Sequence, residues 1–97
     1  MLELTTLTVR REQADSFERS LLAALELLRS AAGCLRADAL RSHEDPSRYL
    51  LMVRWRSIDD HMVGFREGDD FASFRGMLAP FYARQPSMEH FVEITGD

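Results

Sequence analysis

Trp55, His61 and Arg75 have chemistry to offer at positions where apolar side chains are expected. Trp55 closes an alternating inward row, Tyr49, Leu51, Val53 and Trp55. His61 lies on the apolar side of a short helical pattern, and Arg75 stands one turn past Phe71, beside Leu78 and Tyr82. A guanidinium in an apolar stripe is costly unless it is paired or faces a cavity. Together the three would line a mostly apolar pocket with a few convergent polar groups, the usual make-up of a small-molecule site. An imidazole with an unperturbed pKa near ~6.5 can take or relay a proton. An indole can stack on a flat ring, and a guanidinium can hold an anionic oxygen. Each also has a plainer reading: Trp55 as core, His61 as a backbone-bonded histidine, Arg75 as a surface residue paired with Asp69 or Glu67. His90 faces either the pocket or a partner chain. His43 lies in a turn, and Cys34 reads as a small buried apolar residue.

Other chemistries are missing. His43, His61, His90 and Cys34 show no metal-ligand spacing. There is no glycine-rich phosphate loop and no nucleophilic triad pattern. All 12 basic residues are Arg, so a Schiff-base or P-loop lysine is excluded. The expectation is a site with no metal, nucleotide or flavin. A net charge of −4 without any basic cluster argues against nucleic acid as a partner. The single Cys34 suits a reducing compartment. No signal-peptide pattern and no apolar run near ~20 residues is present, so a cytoplasmic protein with no membrane partner is expected.

The elements that must position these residues follow from periodicity. The stretch Arg48 to Ser57 is apolar at Tyr49, Leu50, Leu51, Met52, Val53 and Trp55, which predicts a central strand covered on both sides. Leu2 to Val9 predicts the first strand. Its apolar phase shifts between Leu2/Leu4 and Leu7/Val9, through either a bulge or two faces buried at different heights; the second agrees with the central strand. Glu12 to Ala32 predicts a helix with Phe17, Leu21, Ala24, Leu25, Leu28 and Ala32 on one face, ended by Gly33. Cys34 to Ser42, with Leu35, Ala37 and Ala39 inward, makes a hairpin with the central strand through the turn at Asp45-Pro46. Ser57 to Asp60 resembles a capping box and starts a helix to about Arg66, with Ile58, His61, Met62 and Phe65 inward. Gly68 breaks it. A further helix runs to about Arg84, with Phe71, Phe74, Leu78 and Tyr82 inward and a kink or restart at Pro80. Met88 to Thr95 predicts the last strand. This order is the ferredoxin-like βαββαβ arrangement, α+β with a four-stranded antiparallel sheet, in a single domain over residues 1–97. The open sheet face calls for a second copy, so a homodimer is expected.

With AAGCLRADALRSHEDPSRYLLMVRWRSIDDH at its centre, the chain resembles the antibiotic biosynthesis monooxygenase domains. The features are the helix ended by Gly33, the Asp45-Pro46 turn, the strand ending in Trp55, and His61 in the helix that starts at Ser57. The Phe71, Phe74 and Leu78 row before Pro80 also fits. The resemblance implies a dimeric α+β barrel. It also implies a cofactor-independent monooxygenase that oxidises an anthrone- or hydroquinone-like ring to a quinone with O2. The residues at Trp55, His61 and Arg75 would be catalytic, and Leu51, Phe65, Phe74 and Tyr82 would bind the substrate. Better-studied members carry Asn where this chain has Leu51, and no Asn occurs here. Other members degrade haem using Asn, Trp and His together, with the ligating His near the positions of Phe65 or Arg66. A dimeric binding module or pathway accessory without catalysis is the alternative of another class.

Overall fold

The structure, a computed structural model, describes residues 1–96. Strands β1 (Leu2–Thr8), β2 (Cys34–Arg41), β3 (Arg48–Trp55) and β4 (Ser87–Phe91) form one antiparallel sheet, ordered β2-β3-β1-β4. The inward residues of helices α1 (Ala14–Arg29) and α2 (Asp69–Leu78) pack with one face of that sheet in a single core. This is the ferredoxin-like α+β fold that the element order predicts. In β3, Tyr49, Leu51, Val53 and Trp55 are buried, while Leu50 and Met52 are half-buried on the open face. Leu2 and Leu4 pair with Arg54 and Met52 there and are also half-buried.

The phase shift in β1 follows the second expectation and not the first, with Leu2 and Leu4 half-buried on the open face and Leu7 and Val9 buried on the other. The register to β3 is unbroken from Leu2 to Thr8, so there is no bulge. Instead two polar residues, Glu3 and Thr5, occupy helix-facing core positions in line with Leu7 and Val9. A bulge does occur in β2, where the register to β3 shifts between Cys34 and Arg36. It turns Leu35 outward, 68% exposed, so Leu35 does not share the inner face with Ala37 and Ala39.

Helix α1 buries Phe17, Leu21, Ala24, Leu25 and Leu28. It starts later than predicted, after a 3-10 turn at Arg11–Gln13, and ends at Arg29, leaving Ala32 exposed. Gly33 adopts φ +83°. A Cβ there would also lie 2.4 Å from the Asp60 carboxyl. That carboxylate is held by two hydrogen bonds from Arg56, at 2.9 and 3.0 Å, and one from the Ser57 hydroxyl at 3.1 Å. Asp60 N–H in turn donates to Ser57 Oγ at 3.1 Å, one half of the predicted capping box. Gly33 therefore seats the segment that carries His61. Gly33→Ala is expected to cost about 1–3 kcal/mol, read by urea unfolding, because it adds left-handed strain to a clash with a fixed carboxylate. A wild-type midpoint would remove this account.

Two closing elements are shorter than predicted. Helix α2 stops at Leu78, and Pro80 restarts the chain as a 3-10 turn over Ala79–Phe81 rather than a helix reaching Arg84. Tyr82 is then extended and bridges to Val9, with Ala83 N–H donating to the Thr8 carbonyl at 2.8 Å. The Arg10 guanidinium donates to the carbonyls of Tyr82 (3.1 Å) and Pro80. Strand β4 ends at Phe91, not Thr95, and Val92 and Ile94 are exposed.

Candidate active site

A cavity of about 640 Å³ opens between the sheet and α2. The position of His61 in its floor follows from an irregular helix. Residues Asp60–Phe65 wind as a π-helix, with Arg66 N–H donating to the His61 carbonyl at 2.9 Å. The wider turn brings His61 and Phe65 inward and leaves Ile58, expected inward, 46% exposed. His61 is 4% exposed and stacks on Trp55, with centroids 5.0 Å apart and planes 12° from parallel. Phe65 packs against Trp55, Phe71 and Phe74 in tilted and edge contacts.

Glu3 holds this floor together, and the sequence reading passed over it. Its side chain is 6% exposed. Trp55 Nε1–H donates to one oxygen at 2.9 Å, and Thr5 Oγ–H donates to the other at 2.6 Å. His61 Nε2 lies 3.3 Å from the oxygen that Trp55 engages. The other imidazole nitrogen, Nδ1, is 2.8 Å from Nε2 of His90. His90 thus belongs to the helix-facing side of the sheet, paired with Glu3 across β1 and β4. The signal was available: an unbroken strand puts Glu3 and Thr5 in phase with Leu7 and Val9.

Burial holds His61 below the ordinary histidine value; Glu3 opposes that shift, while His90 and Arg66 add to it. The imidazole is therefore neutral at pH 7. One neutral arrangement satisfies every contact: Nε2–H toward Glu3, with Nδ1 accepting from His90. Because Glu3 and His90 sit on opposite edges of the His61 ring, the three cannot converge on one ion. Among the described residues no group of three or more His, Cys, Asp or Glu side chains is placed to hold a metal.

The cavity wall contains the predicted contacts Leu51, Phe65, Phe74 and Tyr82. Tyr82 is half-buried, and burial pushes its phenol up, so it stays a donor at neutral pH. Trp55 is fully buried behind His61 and does not itself line the cavity, so the imidazole and not the indole faces it. Arg75 lines the cavity, but its side chain is exposed, which corrects the expectation of an inward guanidinium. It makes no ion pair with Asp69 or Glu67. Arg66 and Arg84, also exposed, line the same opening. A chain of net charge −4 thus gathers three cations at this mouth.

Fold and site together define a ferredoxin-like unit with an aromatic-walled chamber and a buried histidine–carboxylate pair. The chain belongs to the antibiotic biosynthesis monooxygenase family, whose model matches residues 1–77. It is 32% identical to a candidate antibiotic biosynthesis monooxygenase from Bordetella bronchiseptica of known crystal structure. The two superpose with a TM-score of 0.90 over 96% of this chain and 95% of that one. It is 26% identical to the uncharacterized protein YczJ of Bacillus subtilis (strain 168), over 95% of this chain and 97% of that protein. Rv0793 from Mycobacterium tuberculosis shares the fold, with a TM-score of 0.81 at 16% identity over 96% of this chain and 93% of that one. No helix among the described residues is long and apolar enough to cross a membrane.

Proposed function

We propose that this chain is a single-domain monooxygenase. In this reading it oxidises an anthrone- or hydroquinone-like ring to a quinone with O2 and needs no cofactor. The observation that carries this reading is the buried His61, braced by Glu3 and Trp55, at the floor of an aromatic-walled chamber with a cationic mouth. Family membership supports the reaction class. A flat ring fits between Phe65, Phe74, Leu51 and Tyr82, and Arg75 at the mouth holds an anionic oxygen. The floor takes a proton from the ring system, and the resulting anion, shielded from water, gives one electron to O2. The radical pair joins in a carbon–oxygen bond, and the peroxide anion is protonated. Breaking its O–O bond then releases water, so an anthrone CH2 and O2 become a carbonyl and H2O.

The test is oxygen uptake with anthrone and no added cofactor, corrected for autoxidation. One O2 consumed per quinone formed is expected; uptake at the protein-free rate overturns the reading. Arg75→Met is expected to lower kcat/KM about tenfold, as loss of one charge-assisted contact at a wet rim. Unchanged kcat/KM would detach Arg75 from the substrate. Leu51, standing where the better-studied oxygenases have Asn, favours a second reading of binding without turnover. Quenching of Trp55 fluorescence by an aromatic ligand, without oxygen uptake, would select it.

We further propose that a second copy covers the open sheet face, where Leu2, Leu4, Leu50 and Met52 are half-buried and Leu40 is 44% exposed. A sedimentation mass of two chains at micromolar concentration is expected; a monomer refutes it.

A further inference from the structure

We infer that the ring this site accepts carries an anionic substituent, a carboxylate, and that Arg66 and Arg84 at the cavity mouth recognise it. The inference rests on the proposed site for a flat ring and names the class of ring that fills it. Among the described residues, Glu3 is the one acid in the cavity lining. It is buried at the floor, where Thr5 Oγ–H and Trp55 Nε1–H engage its two oxygens. The other charged side chains of the lining, Arg66, Arg75 and Arg84, are all cations and all exposed at the opening. Elsewhere the chain pairs its arginines: Arg29, Arg36, Arg41, Arg54 and Arg56 each form an ion pair with an Asp or Glu. Among the described residues none of the three at the mouth does so, although Glu67 follows Arg66 directly.

An aromatic face holds Arg66 in place of an acid. Its guanidinium carbon lies 5.1 Å from the ring centroid of Phe71, itself part of the cavity wall. A guanidinium laid on a ring keeps its N–H edge free, and a carboxylate matches that edge with two parallel hydrogen bonds. Arg84 comes from a different element, the link between Tyr82 and β4. It also borders a smaller hollow with Asp45, but the Ser47 N–H and hydroxyl take up that carboxylate at 3.0 and 2.6 Å. The charge at the mouth reaches inward, since Arg66 helps to hold His61 below the ordinary histidine value. With Arg75 on the ionising ring oxygen, Arg66 and Arg84 are the cations that the oxidation leaves without a partner. Like charges around a cleft with apolar walls repel one another and draw in an anion. The cleft therefore favours a ring acid over the same ring without the acid.

Anthraquinone-2-carboxylate and 2-(hydroxymethyl)anthraquinone share one ring system and differ in charge. Calorimetric titration of the wild-type protein at about 50 mM salt is expected to give the acid a Kd about tenfold lower, as charge-assisted contacts at a wet rim provide. The preference should shrink as salt rises to about 500 mM. In Arg66→Gln/Arg84→Gln it should fall to about twofold or less. The preference is a ratio of two ligands on one protein, so a general loss of ring binding does not imitate this outcome. Equal wild-type affinities, or no binding of the acid, overturn the inference. A preference that survives in the double variant overturns it too. The oxidation is judged separately: no oxygen uptake with anthrone removes the reaction and leaves the ligand preference standing, whereas equal affinities remove the preference and leave the reaction standing.

Discussion

Trp55→Ala is expected to destabilise the protein by about 3–5 kcal/mol, the largest loss for any single residue of the site. Trp55 is fully buried, with His61 stacked on one side and Phe65 tilted against it. Truncation leaves a cavity beneath the imidazole and removes the N–H donor that Glu3 receives at 2.9 Å. A buried carboxylate that loses one of its donors costs more than the bond was worth. A domain of this size has on the order of 5–15 kcal/mol in total, so the variant approaches the unfolding threshold at 37 °C. Trp55→Phe separates the two contributions. It keeps an aromatic surface against His61 and loses the N–H, for an expected cost of about 1–3 kcal/mol. Urea unfolding of both variants measures this. If Trp55→Phe matched the wild type, the Trp55–Glu3 bond would be no part of what holds the floor.

Much of this floor could be read from the residues because strands alternate strictly. The inward row of β3, the α1 stripe and the inner face of α2 all follow from spacings of two, three and four. Periodicity failed where the backbone departs from a regular repeat. A bulge threw Leu35 outward, and a π turn changed which residues of Asp60–Phe65 face inward. Arg75 illustrates a different limit. Its place beside Phe74 and Leu78 put it near the cavity, but a flexible side chain at the edge of a stripe turns to water, and spacing does not record that choice. Glu3 was missed for the opposite reason. A lone acid between two leucines looks like the wet side of a strand, and only its partners Trp55 and Thr5 make burial affordable. The partners come from different strands, one 52 residues away, which no local window joins.

His61→Phe is expected to lower turnover of an anthrone by about 10²–10⁴-fold while leaving the ring stack on Trp55 in place. The same substitution should change how the fold responds to acid. Burial depresses the His61 pKa below 6.5, so the folded protein resists a proton that the unfolded chain accepts. By linkage, the contribution of neutral His61 is fully present above about pH 6.5. It is lost as pH falls through the lower value in the folded state. Stability therefore declines on the acid side of that window in the wild-type protein. Phe carries no proton, so the variant lacks this part of the decline, and the wild type loses stability relative to the variant as pH is lowered from 7 to 5. Subtracting the two curves cancels the contributions of groups that lie away from His61 and are common to both proteins. The wild-type rate should also fall across this acid window, because a protonated His61 no longer accepts a proton at the cavity floor. Melting curves and kcat/KM measured on the same pH series settle both points. Parallel curves at every pH would mean that folding does not shift His61, and a wild type that gains on the variant as pH falls would mean that His61 is charged in the folded state. It would then be an ion-pair partner of Glu3 and not a base.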